Sequence, residues 1–286
     1  MRVQAFAKIN LSLHVLGRRD DGYHELRTIF QSIALFDTLT IRRIRGPFRL
    51  TSSDPALPLD ERNLVWRAAA AIWKASGRRG QPRDVAIDLN KGIPVAAGLG
   101  GGSSDAAAAL RALASIWRIE TPRLPALAST LGADVPYFLE GGTVLGLERG
   151  DLLFPLRDRP RMAVVLVLPD FGVSTAEAYG WLDEDRRRPA EALVRRPAKA
   201  FAIREEGNDL EAAVAKRHPA IARIVGALRR AGADHAAMSG SGSAVFGLFK
   251  AAAAANAAAN AVSAPSRRVF VTHTLDHAAC RRLAAK

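Results

Sequence analysis

The 286-residue sequence predicts an α+β protein of two domains. Three observations carry this. Short apolar strand patterns crowd residues 3–51. A loop rich in glycine and serine at 94–104 opens onto an alanine-rich helix. A proline-containing, charged stretch at 153–161 then separates this half from a second set of strand and helix patterns, which places the domains at 1–155 and 156–286.

Residues 3–16 read as a strand in which Lys8 and Asn10 interrupt the run of Ala5, Phe6, Ala7, Ile9, Leu11, Leu13 and Val15. A half-exposed edge strand would account for them, but a lysine in an apolar setting usually has a partner or a task. A polar turn at 17–22 leads to Tyr23 and His24. Residues 28–35 and 38–44 read as two strands separated at Phe36-Asp37, and 48–51 as another. Leu64, Ala68, Ala71 and Ile72 recur at helical spacing over 63–75, and 85–89 is a strand feeding the glycine loop.

That loop holds Gly98, Gly100, Gly101 and Gly102, followed by Ser103, Ser104 and Asp105. Glycines allow a tight turn and a close backbone approach. Ser103 or Ser104 would cap the helix, with Asp105 in its first turn. Amide groups aimed from such a loop into a helix N-terminus form an anion site, and phosphate is the expected occupant. The pattern is neither a Walker A loop, since no lysine follows Gly102, nor a dinucleotide fingerprint, since Gly98-x-Gly100 is followed by Ser103. Gly101 is the position where a β-branched side chain should block phosphate.

Beyond the loop, Pro122 starts a helix at 124–131, and Leu-Gly-Ala-Asp-Val-Pro-Tyr-Phe occupies 131–138 before a strand at 143–147. The second half reads as a strand at 162–168, a helix over 176–182 and a polar segment at 183–198. Asn208 caps a helix, Pro219 starts another, and a second glycine–serine turn spans 238–243. A strand at 244–249, an alanine-rich helix at 251–262 and a strand at 268–272 complete it.

The net charge of +13 raises nucleic-acid binding, but the basic residues are spread along the chain and not interleaved with aromatics. A basic RNA-binding module is therefore the weaker alternative, and the charge suits a surface that attracts polyanionic small substrates. No apolar run is long enough to span a membrane. The absence of a signal-like N-terminus and the single Cys280 lead to the expectation of a cytoplasmic protein without disulfides.

Three separated stretches belong together: Ala7-Lys8-Ile9-Asn10-Leu11, the loop from Pro94 to Ala107, and Ser239-Gly240-Ser241-Gly242. The set resembles the GHMP small-molecule kinases. Asp21-Gly22-Tyr23-His24-Glu25 and the 131–136 stretch narrow the likeness to members that act on a cytidine diphosphate sugar alcohol. The resemblance implies a two-domain GHMP-kinase-like fold with the active-site cleft between the domains. The first domain would bind ATP, and ATP with Mg²⁺ would phosphorylate the 2-hydroxyl of 4-diphosphocytidyl-2-C-methyl-D-erythritol in non-mevalonate isoprenoid synthesis. Mevalonate- or homoserine-type kinases are the alternative within the family.

By the same resemblance Lys8 and Asp134 form the catalytic pair, with Asp134 as general base. Pro94, Val95, Ala96, Ala97, Gly98, Leu99, Gly100, Gly101, Gly102, Ser103 and Ser104 bind ATP, with Asn63 near the adenine. Asn10, Tyr23, His24, Tyr179, Ser239 and Gly240 hold the substrate, the aromatic rings around the cytosine. The metal ligands stay open, because the loop region lacks the helix glutamate that some members use, and Ser104 is one candidate. The partners implied are small molecules, with neither nucleic acid nor membrane, on a monomer or weak homodimer.

Overall fold

The computed structural model describes residues 1–187 and 207–284. The polar segment expected at 183–198 lies mostly outside them.

Strand β1 (Arg2–Arg18) pairs antiparallel along nearly its whole length with β2 (His24–Pro47). The chain returns through β3 (Arg49–Ser52), α1 (Leu64–Ala75) and β4 (Arg83–Asn90). Then come α2 (Gly101–Trp117), a 3₁₀ turn at Thr121–Arg123, α3 (Leu124–Leu131), α4 (Tyr137–Glu140), β5 (Thr143–Glu148) and β6 (Leu152–Pro155). These strands form one sheet in the order β3-β4-β2-β1, with β5 also on β2 and β6 on β5. Its remaining member, β8 (Gly207–Asn208), adds in parallel to β1.

The later chain supplies β7 (Ala163–Pro169), α5 (Thr175–Arg187), α6 (Asp209–Arg217) and α7 (Ala220–Arg230). It continues with β9 (His235–Met238), β10 (Val245–Phe249), α8 (Ala252–Val262), β11 (Arg267–His273) and α9 (His277–Ala284). A second sheet runs β11-β7-β10-β9, all antiparallel.

Three apolar cores build the layers. Helices α1, α2 and α3 cover the first sheet through Leu39, Ile41, Ile72, Leu110 and Leu113. Helices α5 to α8 cover the second through Leu182, Leu210, Val214, Ile224, Leu228 and Val262. Between the sheets, Ala7, Ile9 and Leu11 of β1 meet Val164, Leu166 and Phe246, and Ile93, Ala97 and Leu99 of the glycine-loop segment join them. The loop is thereby anchored in the layer that joins the two sheets.

Four expectations change. Phe36-Asp37 is not a break between strands: β2 runs through it, because the buried Asp37 carboxylate accepts from the Gly92 and Ile93 amides instead of facing a turn. The stretch from 153 is not all linker, since β6 pairs with β5. Helix α2 starts at Gly101 after Gly100 in the left-handed region, so Ser103 and Ser104 lie inside it and neither caps it. Asp105 falls past the first turn, where it pairs with Lys91 at 2.7 Å. The Asn208 cap stands as expected, with its Oδ1 accepting from Leu210 N, and Asn63 caps α1 in the same way, accepting from Val65 N.

Candidate active site

One large cavity, about 480 Å³, opens where the glycine loop faces β1, β2 and the start of α5. Lys8, Asn10, Asn63, Asp134, Tyr179, Gly240 and every loop residue from Pro94 through Ser103 line it. Distant segments of the sequence thus meet in one place.

The loop owes its shape to backbone contact. Gly98 has φ +74°, and a Cβ there would stand 2.1 Å from the Ser239 carbonyl oxygen. Gly100 has φ +71°, and a Cβ there would stand 2.5 Å from the Phe138 ring. Only glycine fits either position. Gly101 is helical, and a Cβ there would meet Ile93 at 3.1 Å, so side-chain crowding would compound any effect on phosphate. The first amides of α2 have no intrahelical partner, which leaves those of Gly101, Gly102 and Ser103 free to receive an anion.

Lys8 is buried, and its Nζ donates to Asn10 Oδ1 at 2.6 Å. The same nitrogen lies 3.6 Å from Asp134 Oδ2 and 5.4 Å from the Phe30 ring centre. Asp134 sits in the turn before α4, where Val135 N bonds back to the Gly132 carbonyl. Phe138 of α4 presses on Gly100, so the acidic turn and the glycine loop hold each other.

The second glycine–serine turn acts as a brace. Ser239 Oγ donates to the Gly98 carbonyl at 3.0 Å and accepts from Asn10 N at 3.4 Å. Asn208 Nδ2 ties down the carbonyls of Met238 and Gly240. Ser239 itself is fully buried behind the lining, while Gly240 and Ser241 face the cavity.

Ser104 is buried, and its hydroxyl donates to the Phe6 carbonyl, so it does not line the cavity. Asn63 lines it, but with its amide spent on Val65 N and the Pro58 carbonyl. Asn10 likewise spends both ends of its amide on protein, on Lys8 and on Thr28.

At the far end Tyr179 stacks on His24 with ring centres 4.7 Å apart, and His24 Nε2 pairs with Asp183 at 2.9 Å. Burial pushes the Tyr179 phenol up, so it is an uncharged donor. Tyr23 is 56% exposed, lies outside the lining and packs beside Arg149 instead. Arg149, which no sequence motif marks, lines the cavity and is paired with Asp151.

A second unforeseen group sits beside the loop. Lys91 bridges the carboxylates of Asp37 and Asp105. Burial, with help from Asp37, pushes the Asp105 carboxyl up against the pull of Lys91, and its Oδ1 has no hydrogen-bond partner. A lone lysine and aspartate carry no motif, so only the fold reveals them. Among the described residues no three His, Cys, Asp or Glu side chains group as metal ligands.

The N- and C-terminal domain models of the GHMP kinases match residues 63–142 and 190–267. The 4-diphosphocytidyl-2-C-methyl-D-erythritol kinase of Moorella thermoacetica is 43% identical, over 96% of this chain and 99% of that protein. The enzyme of the same name from Solibacter usitatus is 45% identical, over 87% of this chain and 81% of that protein. Among solved structures, a 4-(cytidine 5'-diphospho)-2C-methyl-D-erythritol kinase superposes with a TM-score of 0.77 at 38% identity, covering 96% of this chain and 99% of that one. The mevalonate kinase of Methanococcus jannaschii shares the fold, with a TM-score of 0.70 at 14% identity over 96% and 98% of the two chains. The two matched domains, the whole-length relatives and the loop built on Gly98 and Gly100 agree: this chain belongs to the GHMP kinase family.

Proposed function

We propose that this chain transfers the γ-phosphoryl group of ATP to the 2-hydroxyl of 4-diphosphocytidyl-2-C-methyl-D-erythritol, with ADP as the other product. The observation that carries the reading is the Lys8–Asp134 pair standing in the same cavity as the glycine-loop amides. The relatives named for this substrate, one of them matched over nearly its whole length, support the choice of acceptor.

Phosphoryl transfer asks for charge stabilisation on the moving group and an acceptor held in line. The amides at the start of α2 and the Lys8 ammonium supply the first. Asp134 takes the proton of the 2-hydroxyl as its oxygen bonds to the γ-phosphorus. The bond from that phosphorus to the β–γ bridging oxygen breaks, and ADP leaves with the electron pair. Tyr179 gives the cytosine a stacking surface, with His24 behind it. Tyr23 belongs to the rim beside Arg149.

Mg²⁺ would neutralise charge on the phosphates. The donors present fit an ion held mostly by phosphate and water, as magnesium often is. Of the two loop serines Ser103 lines the cavity, whereas the hydroxyl of Ser104 is committed to Phe6.

We read the chain as two domains, 1–155 and 156–286. The segregation of strands between the two sheets supports this, with β8 the one strand among the described residues that crosses. No described helix is long and apolar enough to cross a membrane. A cytoplasmic monomer or weak homodimer, without nucleic-acid partners, completes the reading.

The test is phosphate transfer from radiolabelled ATP to a panel of 4-diphosphocytidyl-2-C-methyl-D-erythritol, mevalonate and homoserine. The reading expects turnover of the cytidine compound alone. Preferred turnover of either other acceptor would overturn it.

A further inference from the structure

Lys8 is held by a chain of hydrogen bonds that ends on the backbone. Its ammonium donates to Asn10 Oδ1 at 2.6 Å, Asn10 Nδ2 donates to Thr28 Oγ1 at 2.7 Å, and Thr28 Oγ1 donates to the Ser12 carbonyl at 2.7 Å. All four residues are buried. Their arrangement follows from the strand pairing. The register of β1 on β2 slips between Asn10 and Ser12, which places Thr28 opposite Leu13, within reach of the Ser12 carbonyl and the Asn10 amide.

The direction of this chain is fixed from its far end. A carbonyl oxygen can only accept, so the Thr28 hydroxyl must spend its one proton on Ser12. Its oxygen is then an acceptor for Asn10, which must present its NH₂ to Thr28 and its carbonyl to Lys8. The opposite amide orientation would set two N–H donors against an ammonium and waste the buried carbonyl. With one ammonium proton committed to Asn10, the other two remain for Asp134 and the phosphoryl group.

We propose that Thr28 is a positioning residue for phosphoryl transfer: its hydroxyl sets the orientation of the Asn10 amide and thereby holds the Lys8 ammonium beside Asp134. The proposal rests on the kinase reading above. Thr28 lines the same cavity, but its hydroxyl is spent on Asn10 and Ser12, so the proposal assigns that hydroxyl to the chemical step and not to the binding of either substrate.

Thr28→Val keeps the shape of the side chain and removes the hydroxyl, while Thr28→Ser keeps the hydroxyl and removes the methyl. Single-turnover transfer to the cytidine substrate should slow by up to about 100-fold in Thr28→Val, the scale of a slightly misplaced group at a reacting centre. KM for ATP and for the cytidine substrate should stay near wild type, and Thr28→Ser should restore the rate. In a Lys8→Met background Thr28→Val should cost little more, because both act through one group. If Thr28→Val does not fold, Thr28→Cys, with its weak donor, takes its place and should fall between Ser and Val. A Val variant (or, in its place, a Cys variant) as fast as wild type would overturn the proposal. So would a Ser variant as slow as Val, a loss appearing in both KM values, or full multiplication of the two losses in the double variant. Failure of the wild-type protein to phosphorylate the cytidine substrate would instead refute the kinase reading, so the two failures are distinct.

Discussion

The Lys8 ammonium stands 3.6 Å from the Asp134 carboxylate, with the lysine side chain 5% exposed and the aspartate 36%. One partner is locked into a strand and the other reaches into the cavity from a turn. That asymmetry suits a fixed charge beside a base that must meet an incoming hydroxyl. Phe138, four residues after Asp134, and the Lys8 stem both crowd the Cα of Gly100, and the first prediction concerns that crowding.

Gly100→Ala forces a Cβ into the Phe138 ring at a backbone angle that alanine disfavours. We expect a loss of about 1–3 kcal/mol, the cost of one strained backbone position, together with a raised KM for ATP. Gly102→Ala meets only Leu64 at 3.8 Å and should unfold like wild type. Thermal unfolding and ATP saturation of the two variants check this, and equal losses at both positions would contradict it.

For the cytosine, Tyr179→Ala should raise KM for the cytidine substrate by about 5- to 150-fold, the range that corresponds to one base–aromatic stack. Tyr23→Ala should do less, because its ring stands on the rim beside Arg149. KM for ATP should hold in both. A larger effect from Tyr23 than from Tyr179 would reverse the assignment of the stacking surface.

The Asp37–Lys91–Asp105 group makes a pH prediction. Burial pushes the Asp105 carboxyl from the ordinary 3.8 up to about 8, so across that window the folded state binds more protons than the unfolded state. The contribution of this group to stability therefore falls as pH rises. Wild type should lose ground to Asp105→Asn between about pH 5 and about pH 8, read by urea unfolding. An unchanged difference across that interval would contradict the shift.

Asp37→Asn should be costly at any pH in that range. The buried carboxylate accepts from Gly92 N at 2.6 Å and Ile93 N at 2.8 Å while also holding Lys91. An amide has one acceptor oxygen, so a buried donor is stranded at about 1–3 kcal/mol. Urea unfolding of Asp37→Asn at wild-type stability would show that these contacts are dispensable.

Much of this was legible in the sequence because local rules and the fold agree. The apolar period of α1, the run Val164–Val167 in β7 and the alanines of α8 each name their own element. The glycine loop was legible because Gly98 and Gly100 meet backbone and ring at distances that no side chain tolerates. What stayed hidden depends on partners far away in the chain. Asp37 reads as a turn residue until Gly92 and Ile93 arrive to satisfy it. Ser104 reads as a cap or ligand until the Phe6 carbonyl accepts its hydrogen bond. Thr28 is an ordinary strand threonine until the slip in β1 sets Asn10 against it.

The most direct measurement is the transfer rate of Asp134→Asn with ATP and 4-diphosphocytidyl-2-C-methyl-D-erythritol. The carboxamide keeps the shape of the side chain and cannot take the proton. The account predicts KM values close to wild type and a kcat lower by at least about 10²-fold, the scale of a lost general base. An Asp134→Asn protein that turns over at the wild-type rate would contradict the role given to Asp134 and, with it, the Lys8–Asp134 pair as the chemical centre.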